Sequence, residues 1–206
     1  MLKGKWPFIV IIVLHTVGIA GILLGFRDWI MPLTPLNLLI SGWIVLAEDV
    51  KAGPKKAVFA WVVCVSYFVE VLGVNTGWPF GEYYYGVTLG PQLFNTPLLI
   101  GLLWLLLLIG GWQLANRISK NLFVRSLLVA LLMTCLDYFM EPVAVNLGFW
   151  TWMNGQIPLS NYISWFAVAL ALSLGMSKLI GDMNNKRAEL FFLVQIVFFL
   201  VLNTFA

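Results

Sequence analysis

Residues 64–77 read CVSYFVEVLGVNTG, and residues 135–148 read CLDYFMEPVAVNLG, the same passage 71 positions further on. Cys64/Cys135, Tyr67/Tyr138, Phe68/Phe139, Glu70/Glu141, Val74/Val145, Asn75/Asn146 and Gly77/Gly148 are identical pairs. Each copy ends a long apolar run and carries a glutamate there. A carboxyl group in hydrocarbon is costly and marks a functional position by default. Two in matched settings point to one site shared by two related halves.

The surrounding composition sets the solvent. The chain has 206 residues, is 61% hydrophobic and 10% charged, and has a mean hydropathy of +0.94. A water-soluble domain of this size does not hide that much apolar surface. The long continuous runs predict an all-α, polytopic membrane bundle, because a barrel would show short alternating segments. Seven spans are expected, over residues 6–26, 29–47, 57–74, 97–115, 122–143, 162–180 and 190–205, forming a single transmembrane domain over 1–206. Each is near the ~20 residues a bilayer requires. The first run follows Lys3 and Lys5 as a signal peptide would, but it is long enough to span and lacks a small-x-small cleavage site. Pro32 and Pro35 fall in the first turns of the second span, which predicts an irregular entry.

Charge orients the bundle. Alternating spans place Lys3, Lys5, Lys51, Lys55, Lys56, Arg117, Lys120, Arg125, Lys178, Lys186 and Arg187 on one side and Arg27 alone on the other. The positive-inside rule makes the first side cytoplasmic, in the inner membrane, with the N-terminus inside and the C-terminus outside. The net charge of +3 implies no nucleic-acid partner, because the cations sit at span ends and form no patch. The bilayer is the expected partner instead. Spans three and five run in the same direction, so the repeat is parallel, with units of spans three–four and five–six.

Two outer connections, 75–96 and 146–161, are rich in Gly, Pro, Asn and aromatics and nearly free of charge. Such loops are expected to fold back over the bundle and line a cavity. Glu82 lies in the first of them and reads as a solvated loop residue.

The chemistry concentrates at the same end. Asp137 precedes Glu141 by four residues, so both share a helix face; the first copy has Ser66 at that position. Close carboxyls in a dry place do not all ionise, which keeps a proton available for general-acid work. Glu70, Asp137 and Glu141 are therefore the candidate catalytic residues. An aromatic face shelters a nearby cation, a carbocation included. Trp78, Phe80, Tyr83, Tyr85, Trp150, Trp152 and Trp165 are the candidate pocket aromatics, with Asn75, Asn146 and Asn161 as candidate polar contacts to substrate or water. Part of this aromatic crowd belongs to an interfacial belt, and Asn75 and Asn146 fit helix caps equally well. His15, the single histidine, reads as a hydrogen-bonded core residue, and no metal is expected. Asp137-x-x-x-Glu141 is compatible with magnesium-diphosphate chemistry, but the acidic end lacks the cations that phosphates need. Cys64 and Cys135 read as small core residues. These residues imply a lipid hydrocarbon whose double bond is protonated.

Several motifs then carry a resemblance. Glu70-Val-Leu-Gly-Val-Asn-Thr-Gly-Trp-Pro-Phe-Gly-Glu-Tyr-Tyr-Tyr85, Leu89-Gly-Pro91, Asp137-x-x-x-Glu-Pro142 and Pro158-Leu-Ser-Asn161 followed by Trp165 resemble the CruF-type carotenoid 1,2-hydratase family, over roughly residues 57 to 180. The resemblance implies cofactor-independent addition of water to the terminal isoprene double bond of an acyclic carotenoid, giving a tertiary alcohol. It implies Glu70, Asp137 and Glu141 as the acidic residues, a lipophilic carotenoid as substrate, and other carotenoid-pathway enzymes as possible partners. Three rival readings remain: a lycopene-type cyclase sharing the protonation step, a small proton-coupled transporter, and a non-catalytic assembly protein.

Overall fold

A computed structural model describes residues 4–47, 49, 53–180 and 183–205. Lys3 and Lys51, counted above among the cytoplasmic charges, lie outside the described residues. Among those described, seven helical segments are long and apolar enough to cross a membrane. The first is α1 (Trp6–Leu23). The second is broken: a single turn, α2 (Arg27–Ile30), runs through a 3-10 turn at Met31–Leu33 into α3 (Thr34–Leu46). Pro32 and Pro35 each sit at the start of their helical segment, where a missing N–H deprives the ladder of nothing. The remaining spans are α4 (Gly53–Thr76), α5 (Ile100–Ile118), α6 (Leu122–Asn146), α7 (Leu159–Ile180) and α8 (Lys186–Phe205). The chain is thus an all-α multi-pass membrane protein.

The helices α4, α5, α6 and α7 close a ring: each packs on the next, and α7 returns to α4. α8 packs outside this ring against α5 and α6, and α1 and α3 pack on α8. α5 is the most deeply buried span. Two glycines permit this. A Cβ on Gly101 would stand 2.6 Å from the Val63 carbonyl oxygen of α4, and one on Gly110 2.5 Å from the Ala188 carbonyl oxygen of α8. In lipid, where no hydrophobic force holds helices together, such close backbone approach supplies the packing.

Side chains fix the helix ends at the face opposite the two long connections. Asn121 Oδ1 accepts from the amides of Phe123 (3.0 Å) and Val124 (3.1 Å) and so starts α6. Asn185 caps α8 in the same manner, through the amides of Arg187 and Ala188, and its amide nitrogen donates to the Val45 carbonyl. The start of α8 is thereby tied to the end of α3.

At the other end, the two long connections pair with each other. β1 (Tyr83–Tyr85) and β4 (Trp150–Trp152) form an antiparallel ribbon in the register Tyr83↔Trp152, Tyr84↔Thr151, Tyr85↔Trp150. Gly86 N extends it, donating to Phe149 O at 2.8 Å. A small hairpin, β2 (Gln92–Leu93) and β3 (Thr96–Pro97), turns through Phe94 and Asn95, both at positive φ as a type I′ loop demands. Ser160 and Ser164 of α7 donate to the carbonyls of Phe80 and Pro79 and clamp the first connection over the ring. Both loops fold back over the bundle, as their composition predicts.

One expectation is corrected. Cys64 and Cys135 are exposed on the outer, lipid-facing surface and are not core residues. Each lies six residues before its glutamate, well over a quarter turn away around the helix, so the buried stripe that holds the acid leaves the cysteine outside.

Candidate active site

The repeat places two buried stripes opposite each other. On α4, Val62, Ser66 and Glu70 follow at four-residue spacing; on α6, Met133, Asp137 and Glu141 do the same. All six are buried. In lipid a buried carboxyl must find its donors within the protein, and each glutamate finds three. Tyr83 and Tyr85 donate to Glu70 Oε2 (2.6 and 2.8 Å), and the Trp104 indole donates to Glu70 Oε1 (2.8 Å). Trp150 and Trp152 donate to Glu141 Oε2 (2.9 and 2.8 Å), and the Asn161 amide donates to Glu141 Oε1 (2.9 Å).

The ribbon supplies four of these six donors. Alternation along a strand sends residues i and i+2 to one face, so Tyr83 and Tyr85 point inward while Tyr84 is exposed, and Trp150 and Trp152 point inward with Thr151 between them. One strand serves Glu70 and the other serves Glu141. Burial, and then the charge of Glu70, push the Tyr83 and Tyr85 hydroxyls well above the ordinary tyrosine value, so both keep the protons they donate.

Asp137 differs from its neighbours. The Asn161 amide nitrogen touches its Oδ2 at 2.8 Å as well as Glu141 Oε1, joining the two acids through one group. Asp137 Oδ1 is buried and takes no hydrogen bond from the described residues. An oxygen without a donor is where a carboxyl carries its own proton at least cost.

Between the glutamates lies a cavity of about 20 Å³. Glu70 and Glu141 both line it, with Phe80, Tyr83, Tyr85, Trp150, Trp152, Asn161 and Trp165 around them. That volume is enough for about one water molecule. Trp165 stacks on Trp104 at 4.2 Å between ring centroids, completing an aromatic wall.

The structure therefore gathers Glu70, Asp137, Glu141, Phe80, Tyr83, Tyr85, Trp150, Trp152, Asn161 and Trp165 into one place. It does not bring Trp78, Asn75 or Asn146 there. Trp78 is 66% exposed beyond the end of α4. Asn75 and Asn146 each follow their glutamate by five residues, about 140° around the helix, and both face outward. Asn75 instead fastens the hairpin, donating to Phe94 O and accepting from Asn95. Asn146 offers its carbonyl to Arg27. Glu82 is exposed, and His15 lies apart from the acids, bonded to Ile11 O and Gln195.

Sequence reasoning missed Trp104. Its signal was an indole inside a leucine run, because a buried Trp N–H requires an acceptor. The partner, 34 residues away on another helix, was not visible in one dimension.

Comparison with known proteins gives the family. A family model described as "Carotenoid biosynthesis protein" matches residues 8–206. A bisanhydrobacterioruberin hydratase of Haloarcula japonica is 36% identical over 138 residues, which is 61% of this chain and 44% of that protein. The match therefore spans less than half the length of this relative. No solved structure matches the chain. With the family model covering nearly its whole length, the chain belongs to the carotenoid biosynthesis protein family.

Proposed function

We propose that this protein is a carotenoid hydratase that adds water to the terminal isoprene double bond of an acyclic carotenoid by carboxylic-acid catalysis. The observation that carries the reading is the pair Glu70 and Glu141, facing one water-sized cavity in an aromatic wall, each held by three donors. The similarity to a hydratase supports the same chemistry.

The hydrogen-bond inventory supports one division of roles. Asp137 holds the proton of the Asp137–Glu141 pair at rest, on its unbonded oxygen. Glu141 delivers it, since Glu141 lines the cavity and Asp137 does not. The proton goes to the less substituted alkene carbon, and the π electrons form the new C–H bond. A tertiary cation is left on the other carbon, shielded by the indoles and phenols. Water adds to that carbon while Glu70 takes its surplus proton, giving the tertiary alcohol. Three donors receive the charge on each glutamate, fixed in place before the reaction. Return of the proton from Glu70 to the Asp137–Glu141 pair closes the cycle without net change in the protein. No cofactor takes part in this scheme.

A cyclase shares the first step but needs a folded end group beside the acid, and a cavity of about 20 Å³ suits water better. The charge bias supports a site toward the outer leaflet of the inner membrane, with the N-terminus in the cytoplasm. Expression in a lycopene-producing host tests the reading: hydroxylated pigment from wild type and none from Glu141→Gln is the expected result. Equal hydroxylation by both would overturn it.

A further inference from the structure

A second, larger cavity adjoins the acid site. It measures about 200 Å³ and lies between the outer halves of α1, α2–α3, α5, α6 and α8. Three residues line both cavities: Leu103, Met140 and Trp150. Two flexible apolar side chains and one indole thus form a wall common to the chamber and the cavity that Glu70 and Glu141 line. Met140 is unbranched and readily displaced.

The chamber walls are built from four-residue stripes. Leu136, Met140 and Ala144 of α6 run along it, as do Leu103 and Leu107 of α5. Eight residues of helix give it a depth of about 12 Å from the outer end toward mid-membrane. Its most buried polar group is already paired: His15 Nδ1 donates to Ile11 O at 2.8 Å, and Gln195 Nε2 reaches His15 Nε2 at 3.1 Å. The interior is otherwise nearly all hydrocarbon. Chamber residues Val17, Leu33 and Leu36 are also exposed on the outer surface, so the chamber opens toward lipid between α1 and α3.

We infer that this chamber is the binding site for the linear isoprenoid chain of the substrate, entered from the bilayer, with the terminal double bond passing Met140 and Trp150 to meet Glu141. The inference rests on the function proposed above for the acid site. It gives α1, α3 and α8, which contribute none of the three site acids, a role as the wall that holds the chain. Continuity with the acid cavity is what selects an alkene-bearing chain over a membrane acyl chain.

The test is photolabelling of the full protein in lipid nanodiscs with a diazirine-bearing squalene analogue, followed by peptide mapping. Label is expected on chamber residues of α1, α3 and α8, competed away by unlabelled lycopene. Label confined to outward-facing residues such as Val13 and Leu39, or label competed equally by phospholipid, would overturn the inference. Leu38→Trp, which fills the chamber, is expected to cut labelling about tenfold and activity with it, whereas Leu39→Trp, one position around the same helix, changes neither. Wild-type labelling of Leu38→Trp in the chamber would also overturn it. The wild-type map needs no variant to fold. Glu141→Gln separates the two readings: if it is inactive and the chamber is unlabelled, only this inference falls. If it is active and the chamber is labelled, the acid mechanism falls and the chamber stands.

Discussion

Tyr85 and Trp150 stand opposite each other in the two-stranded ribbon, and each donates to a different glutamate: Tyr85 to Glu70 at 2.8 Å, Trp150 to Glu141 at 2.9 Å. Their rings meet edge to face at 6.0 Å. Tyr83 and Trp152 are likewise opposite each other and donate to different glutamates, with their rings tilted at 41° and their centroids 5.1 Å apart. The ribbon thus acts as a lid whose register decides which donor reaches which acid. Neither connection builds this lid alone, because each supplies one strand.

Removing one lid donor should weaken the site without emptying it. Tyr85→Phe leaves Glu70 with two donors, and Trp150→Phe leaves Glu141 with two. A hydrogen bond to a charged group contributes about 1.5–3 kcal/mol, so each change should lower turnover by roughly ten- to a hundredfold, read as product formed per protein in membranes. The double variant should fall below either single one. Turnover unchanged in both singles would mean that the lid only covers the site.

The lid register itself is testable at Gly86. A side chain there would run into the Gly148 carbonyl oxygen of the other connection. Gly86→Val should separate the strands, abolish activity and speed amide exchange at Tyr84 and Thr151, while α5 keeps its protection. Retained exchange protection at the ribbon would show that the close approach is dispensable.

Trp78 and Asn146 provide the contrast. Both belong to the aromatic and polar set that the sequence suggests for the pocket, and both face away from it. Trp78→Ala and Asn146→Ala should keep activity within about twofold, the range expected of surface changes. A large loss in either would place the chemistry elsewhere on this end of the bundle.

Much of this architecture was legible in one dimension because the bilayer imposes it. Hydrocarbon forces long apolar helices, so the spans could be read from the runs alone, and the prolines marked where the second span breaks. The duplicated passage revealed that Glu70 and Glu141 are equivalent. The four-residue step from Asp137 to Glu141 placed both on one face, and Ser66 confirmed the register by its burial in the other copy. What could not be read was the partnering across elements. Tyr83 and Tyr85 alternate around Tyr84, yet which face looks inward depends on pairing with Trp150–Trp152, a contact between distant loops. Trp104 reaches Glu70 from a neighbouring helix for the same reason. Asn75, Asn146 and the cysteines lie on the outward side of their helices, which residue type and an apolar setting alone do not reveal.

The central claim is that the three acids give a proton to an alkene and take one from water. It is tested most directly by supplying purified protein in nanodiscs with lycopene in water enriched in heavy oxygen, and by weighing the product. Wild type should form a tertiary alcohol carrying heavy oxygen from the solvent, and Glu70→Gln, Asp137→Asn and Glu141→Gln should each fall by about 10²–10⁴-fold, the usual contribution of general acid–base catalysis. An alcohol formed at the wild-type rate by all three variants, or an alcohol whose oxygen does not come from water, would contradict the account.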